Sequence, residues 1–422
     1  MNNKLYKMMN WPEIEEIIYS DGDDPHRILG AHKVGNSCLI QAFYPDAESV
    51  KVCIENSKKS YDMELADEAG FYAVIVPYVD KMKYYYMIKD AKGEEKKVID
   101  PYAFGPLMDR EDFIKLGSGI HYHIYEKLGA HLMTRDDVRG TSFAVWAPSA
   151  ARVSVIGDFN DWDGRVSQMH RLDPIGVFEI FIPGAEAGDG YQFEIKTRSG
   201  LILKRPDPYA TRSRGENGMI SVINDPSVIK WTDDKWMKDR LKFNKDEDPL
   251  SICEISLESF AGRHGKTSTM DEITADVIEY VKNHGFNAIE LMPVMKHVPG
   301  HFYHTLNYYA LDDAYGTTTD FMKFVDACHA EGIRVMLDWV PTFFPKSSCG
   351  LSDFDGKPLY EYTDPRIGIH PRSGDLIFDY GRKEVTNFLI SNALYWMETF
   401  HLDGIRSSDI SRILYLDYDR KP

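Results

Sequence analysis

The sequence predicts a multidomain chain: two β-sandwiches, then four strand–helix units that amount to the first half of a TIM (β/α)8 barrel. Three observations carry this. The first half contains an internal repeat at an offset of 103–107 residues, and about 100 residues is the size of one sandwich. From residue 249 or so, apolar runs alternate with long helical patterns, the mark of parallel strands joined by crossover helices. Length completes the picture. The 422 residues are too many for one ordinary domain, yet the 173 from 250 to 422 fall short of the roughly 250 of a closed barrel.

Residues 1–20 read as a short amphipathic N-terminal helix, 21–115 as the first sandwich, 116–134 as a connector, 135–230 as the second sandwich and 231–422 as the barrel segment. The repeat places S-C-L-I-Q-A-F-Y-P-D-A-E-S-V-K-V-C-I (37–54) beside T-S-F-A-V-W-A-P-S-A-A-R-V-S-V-I (141–156). In both, an apolar strand runs into proline (Pro45, Pro148), a small polar turn and an alternating V-x-V strand. Y-Y-Y-M-I-K (84–89) then matches Y-Q-F-E-I-K (191–196), and D-P-Y-A recurs at 100–103 and 207–210. Barrel strands are expected at 250–255, 288–294, 334–340 and 404–410, with helices at 320–332 and 384–400. Polar residues gather at the strand C-terminal ends, where such folds carry their sites.

The net charge of −17 provides no field to gather phosphate, which argues against nucleic acid and anionic membranes as partners. The five cysteines (Cys38, Cys53, Cys253, Cys328, Cys349) form no C-x-x-C pair and are odd in number. That speaks against a disulfide framework and against zinc. The N-terminus lacks the apolar core of a signal peptide. No run reaches the roughly 18–20 apolar residues of a membrane helix. A reducing cytoplasm is the expected compartment. His297, His301 and His304 complete no metal-ligand spacing with a carboxylate or thiol, so neither metal nor other cofactor is expected.

A set of short stretches resembles one family. H-R-I-L-G-A-H (26–32), D-P-Y-A-F-G-P (100–106), Y-E-K-L-G-A-H (125–131), F-A-V-W-A-P (143–148) and G-D-F-N-D-W-D-G (157–164) lie in the first half. E-L-M-P-V (290–294), D-W-V-P (338–341), L-I-F-D-Y-G-R-K-E-V (376–385), S-N-A-L-Y-W (391–396) and L-Y-L-D-Y (414–418) follow. In this order they resemble the N-terminal part of the bacterial 1,4-α-glucan (glycogen) branching enzymes of the α-amylase superfamily. The resemblance implies two immunoglobulin-like sandwiches, the second of starch-binding-module type. It also implies a C-terminally truncated chain, ending before half of the barrel and a last β domain.

The implied reaction cuts an α-1,4 bond and rebuilds it as α-1,6 with retained configuration. Retention calls for two carboxyl groups about 5 Å apart, one nucleophile and one acid/base. The family's nucleophile is the last Asp of D-G-x-R-x-D; here the run is Asp403-Gly404-Ile405-Arg406-Ser407-Ser408-Asp409, so Ser408 occupies that slot. Asp409, one step further along the strand, points to the other face unless a bulge intervenes. The family's acid/base Glu follows the fifth strand, beyond this chain. Asp338 matches a sugar-binding Asp, Arg406 the Arg that keeps the nucleophile ionised, and Tyr303 an aromatic that stacks on donor sugar. The family's sugar-binding His is replaced by Phe343, L-Y-E-H by Leu359-Tyr360-Glu361-Tyr362, and W-G-Y-Q by His301-Phe302-Tyr303-His304.

Losses cluster at the site while scaffold stretches persist, the pattern of a site released from catalytic demand. Asp338 and Arg406 fit a plain ion pair as well as sugar binding, and Tyr303 fits packing as well as stacking. Trp146 and Trp162 are the candidate glucan platforms, with sandwich core as the other reading. The expected function is therefore that of a catalytically inactive relative of the branching enzymes that binds α-glucan or glycogen. The alternatives are the N-terminal half of a split enzyme, completed by a chain carrying the missing barrel half, and an interaction subunit of a full-length branching enzyme.

Overall fold

The computed structural model describes residues 3–55, 58–172, 174–225, 229–243, 247–262 and 268–415. L-Y-L-D-Y leaves the described residues after Tyr415, and Pro422 also lies outside them. The chain forms two compact units, one of residues 1–109 with 130–204, the other of 110–129 with 205–422.

The first unit opens with two helices, Asn3–Met8 and Trp11–Ile18, where the sequence predicts one. Pro12 explains the break, because proline is tolerated in a first turn and not in a helix interior. A sandwich follows. One sheet runs in the order Gly30–Val34, Ser37–Phe43, Phe71–Pro77, Glu64–Asp67; the other runs Lys59–Asp62, Ala47–Ile54, Tyr84–Asp90, Glu95–Val98. Ile40 and Val76 of the first meet Val52 and Tyr86 of the second in one core. Leu39, Phe43 and Phe71 face the other way and pack on Leu5, Ile14 and Ile17 of the helices. Burial on both faces explains why Ser37–Phe43 is apolar on both faces apart from Ser37 and Gln41, and the buried Gln41 is satisfied by donating to the Ile28 carbonyl at 2.7 Å.

The repeat is carried through to the second sandwich. Val138–Trp146 pairs with Val177–Pro183 in one sheet, and Ala150–Gly157 pairs with Gly190–Thr197 in the other. Phe143 and Tyr191 meet across the core with ring centroids 5.0 Å apart. The corresponding turns are built alike. Gly70 (φ +102) and Gly176 (φ +79) hold their carbonyls to the amides of Tyr44 and Ala147, at 2.9 and 3.0 Å. A Cβ on either glycine would stand 2.5 Å from the Cα of Pro45 or Pro148, and L residues avoid such φ values. The strand Gly129–Arg135 belongs to this sandwich, so most of the expected connector is regular structure. Helix Arg110–Ser118, which begins within the segment expected as the first sandwich, and a turn at Ile124–Glu126 belong to the second unit.

The second unit is built on four parallel strands, β1 (Ile252–Ile255), β2 (Ala288–Leu291), β3 (Arg334–Trp339) and β4 (Gly404–Ser407), in that spatial order. Among the described residues this sheet is open, a partial barrel. Crossover helices α1 (Met270–Asn283), α2 (Thr318–Ala330) and α3 (Lys383–Thr399) connect them. Thr269 with Glu272, and Thr317 with Asp320, close capping boxes on α1 and α2, satisfying amides left orphaned at the first turn. The segment 110–129 docks on α3. Asn387 donates to the His121 carbonyl at 3.0 Å, and the Tyr125 hydroxyl to Glu398 at 2.7 Å. Between β2 and β3 an irregular hairpin, Met295–Val298 with His301–Leu311, folds over the strand ends. No helix among the described residues is long and apolar enough to cross a membrane.

Candidate functional site

The candidate site lies on one face of the parallel sheet. Glu254, Glu290, Met336 and Gly404 stand in register across the four strands, and two residues on, Asp338 stands opposite Arg406. Side chains two apart on a strand share a face, so these residues project together. Ile255, Leu291 and Leu337 project oppositely and are buried.

Asp338, near the end of β3, is 1% exposed. Its Oδ2 accepts from the Tyr303 hydroxyl at 2.7 Å and from Arg406 Nη1 at 2.6 Å. Its Oδ1 is buried without a partner. Arg406 Nε also lies 3.6 Å from Glu290. Burial pushes the Asp338 carboxyl above the usual range, against the pull of Tyr303 and Arg406. Burial raises Glu290 too, against the downward pull of Arg406. Burial and the adjoining Asp338 push the Tyr303 phenol up to about 12. The structure thus brings together three of the residues singled out in the sequence, with Tyr303 delivered by the hairpin rather than by a barrel strand. Glu254 and Glu290 escaped notice, although a lone acid inside the apolar runs I-C-E-I and A-I-E-L signals an inward face.

Ser408 follows β4 and donates its hydroxyl to the Trp339 carbonyl at 3.1 Å. A carbonyl cannot take the proton away, so this contact leaves the oxygen a weak nucleophile. Asp409 sits in a left-handed turn (φ +50) rather than a bulge, and its carboxylate lies 3.5 Å from Arg412. Phe343, in the expected histidine position, is buried and pairs with Ile377 in a two-residue ladder. His297 sits 3.4 Å from Asp312 and His304 3.6 Å from Asp375.

In the second sandwich Trp146 is 6% exposed and donates its indole N–H to the Ile175 carbonyl at 3.1 Å. It is a core residue with no ring face to offer a sugar. Trp162 is partly exposed on the loop after Ala150–Gly157. Asp161 and Trp162 hold φ of +54 and +61 in succession, a conformation that costs on the order of 1–3 kcal/mol per residue. Their surroundings hold them there: Trp162 Nε1 donates to Asp158 at 3.1 Å, and Asp158 accepts from the Gly190 amide at 2.7 Å.

Comparison with known proteins agrees with this layout. Residues 10–102 match the N-terminal domain of the alpha-1,4-glucan branching enzyme GlgB, 127–210 match carbohydrate-binding module 48 (isoamylase N-terminal domain), and 257–347 match the alpha amylase catalytic domain. The 1,4-alpha-glucan branching enzyme GlgB of Thermosynechococcus vestitus is 40% identical over 97% of this chain and 57% of its own length. Over nearly its whole length the chain is similar to the 1,4-alpha-glucan branching enzymes GlgB. The branching enzyme of Gloeobacter violaceus is 41% identical over 97% of this chain and 56% of its own length. The chain thus spans a little over half of these relatives. A pullulanase from an Anoxybacillus species, solved with maltotetraose, shares the fold at 19% identity with a TM-score of 0.53, over 90% of this chain and 57% of its own. The two sandwiches and the partial amylase-type barrel correspond in order to the three domains matched.

Proposed function

We propose that this chain binds α-glucan through its second sandwich and the Tyr303–Asp338–Arg406 cluster, and that alone it performs no glucosyl transfer. The observation that carries the reading is Ser408. Where the family places a carboxylate, a hydroxyl stands bonded to a backbone carbonyl, and no ester to an anomeric carbon forms without an activated oxygen. Asp409 is directed to Arg412, which supports the same reading. Binding needs only what is present. The free Oδ1 of Asp338 and the Arg406 guanidinium suit sugar hydroxyls, and the strained Trp162 loop suits a sugar face. Five free cysteines fit a reducing cytoplasm as the place of action.

The experiment is an iodine-stain branching assay with affinity electrophoresis in glycogen gels. The purified chain is expected to leave the amylose–iodine spectrum unchanged and to be retarded by glycogen. Trp162→Ala should weaken the retardation roughly tenfold, the equivalent of about 1.4 kcal/mol. Branching by this chain alone, or a glucosyl ester trapped on it by a fluorosugar, overturns the inactivity. Mobility indifferent to glycogen overturns the binding.

A second reading is that a partner chain, either one carrying further barrel strands or a full-length branching enzyme, docks beside β4. The half-exposed or more exposed Ile410, Leu414 and Tyr415 next to that strand favour it. Co-purification with a longer relative is its expected sign.

A further inference from the structure

Asp24, His26 and His170 converge in the first unit, although 146 residues separate the first from the last. One ligand atom of each lies within 4.8 Å of the other two. His170 Nδ1 is 2.6 Å from Asp24 Oδ1, and the two imidazole rings stand 5.2 Å apart at 71°.

His26 decides the reading. Its Nε2 lies 3.2 Å from the Phe104 carbonyl. A carbonyl only accepts, so Nε2 carries the ring proton and Nδ1 keeps its lone pair. That Nδ1 is buried and has no partner. Buried acceptors are nearly always satisfied, and a ring fixed by N–H donation to a carbonyl is how proteins orient a metal-ligating histidine. His26 and His170, though not Asp24, also line a cavity of about 10 Å³ with Glu179, Phe104 and Phe181, room for one water beside the cluster.

We propose that Asp24, His26 and His170 bind one divalent first-row transition ion, zinc by its donor set. Two imidazoles and one carboxylate with an open fourth position are a zinc ligand set. Magnesium and calcium need six or more oxygen donors, and this cluster offers one carboxylate. A His170–Asp24 ion pair alone accounts for two of the three residues and leaves the His26 nitrogen stranded. The bound ion staples the segment ahead of the first sandwich to the strand His170–Leu172 of the second. The sequence offers only the short pair Asp24-Pro25-His26 and hides the third ligand, His170, far along the chain.

The test uses the full chain, stripped with EDTA and titrated with zinc chloride by calorimetry, with cobalt(II) as a spectroscopic probe. One ion per chain is expected, with cobalt absorption of tetrahedral type and a raised melting temperature. His26→Gln and Asp24→Asn preserve shape and should each weaken zinc binding by about 100-fold. A His297→Ala/His301→Ala control should leave it unchanged. Should His170→Ala fail to fold, the two near-isosteric variants, checked by circular dichroism, still decide. Absence of saturable uptake, or uptake that survives His26→Gln and Asp24→Asn, overturns the site.

Discussion

Replacing His329 by leucine is expected to destabilise the barrel unit by about 3–5 kcal/mol, the cost of stranding buried charge by removing one partner. The His329 side chain is fully buried in α2. Its Nδ1 lies 2.8 Å from Asp233 Oδ2 and its Nε2 3.0 Å from Asp403 Oδ2. Only a ring with both N–H groups donates to both. Asp233 also holds His401 Nδ1 at 2.8 Å, and Asp403 accepts from Trp236 Nε1 and the Val335 amide, both at 2.9 Å. Trp236 stacks on His329 and Trp231 on His401. Four titratable groups and two indoles thus tie the segment before β1 to α2 and to the start of β4. Leucine fills the space but leaves two carboxylates with no cation between them. Urea unfolding followed by circular dichroism measures the loss, and the double variant Asp233→Asn/His329→Leu should lose less than the two single losses added together. Burial works to raise the Asp233 carboxyl, but hydrogen bonds from His401 and His329 outweigh it and hold the pKa below the usual value. With the folded pKa depressed, this carboxylate's stabilisation is present above about pH 4, the unfolded value. It fades as pH falls through the folded pKa. Leucine at 329 should flatten that acid limb.

None of this latch is legible in the sequence, because Asp233 and Asp403 lie 96 and 74 residues from His329. Patterns that repeat along the chain are legible. The doubled sandwich shows because both copies repeat an apolar strand, a proline turn and an alternating V-x-V strand, and the partial barrel because parallel strands buried on one face and helices with a single apolar face differ in period. The hairpin at 295–311 does not show, since three register shifts break its alternation. Nor does the docking of residues 110–129 on α3, which is tertiary contact without local periodicity. At the site, the family stretches lead to Tyr303, Asp338, Arg406 and Ser408. Glu290, a lone acid in an apolar run, is tied to the site only when Arg406 is seen reaching it. The zinc cluster is missed for a similar reason: Asp24 and His26 are near neighbours, but folding alone brings His170 to them from 146 residues away.

Arg152→Met is the other substitution expected to act strongly, again by about 3–5 kcal/mol, and here with a functional consequence. Arg152 is 2% exposed inside the second sandwich. Its guanidinium donates to Ser154, to the Gly164 carbonyl at 3.1 Å and to Glu194 at 3.0 Å, while the Ser154 hydroxyl joins the same carbonyl at 2.6 Å. Gly164 closes the loop that presents Trp162, so the arginine clamps the far end of that loop to the strand it left. A Cβ at Gly164 would collide with the Glu194 carboxylate, so loop and ion pair are packed as one. Methionine conserves the apolar stem and abandons Glu194, whose side chain is only 15% exposed. Lysine keeps the charge but not the fork, and Arg152→Lys should recover part of the stability and little of the loop geometry. Glycogen retardation separates the two roles. A clamp predicts that the lysine variant, folded by circular dichroism, still binds glycogen as weakly as Trp162→Ala; a purely structural arginine predicts retardation that returns with stability.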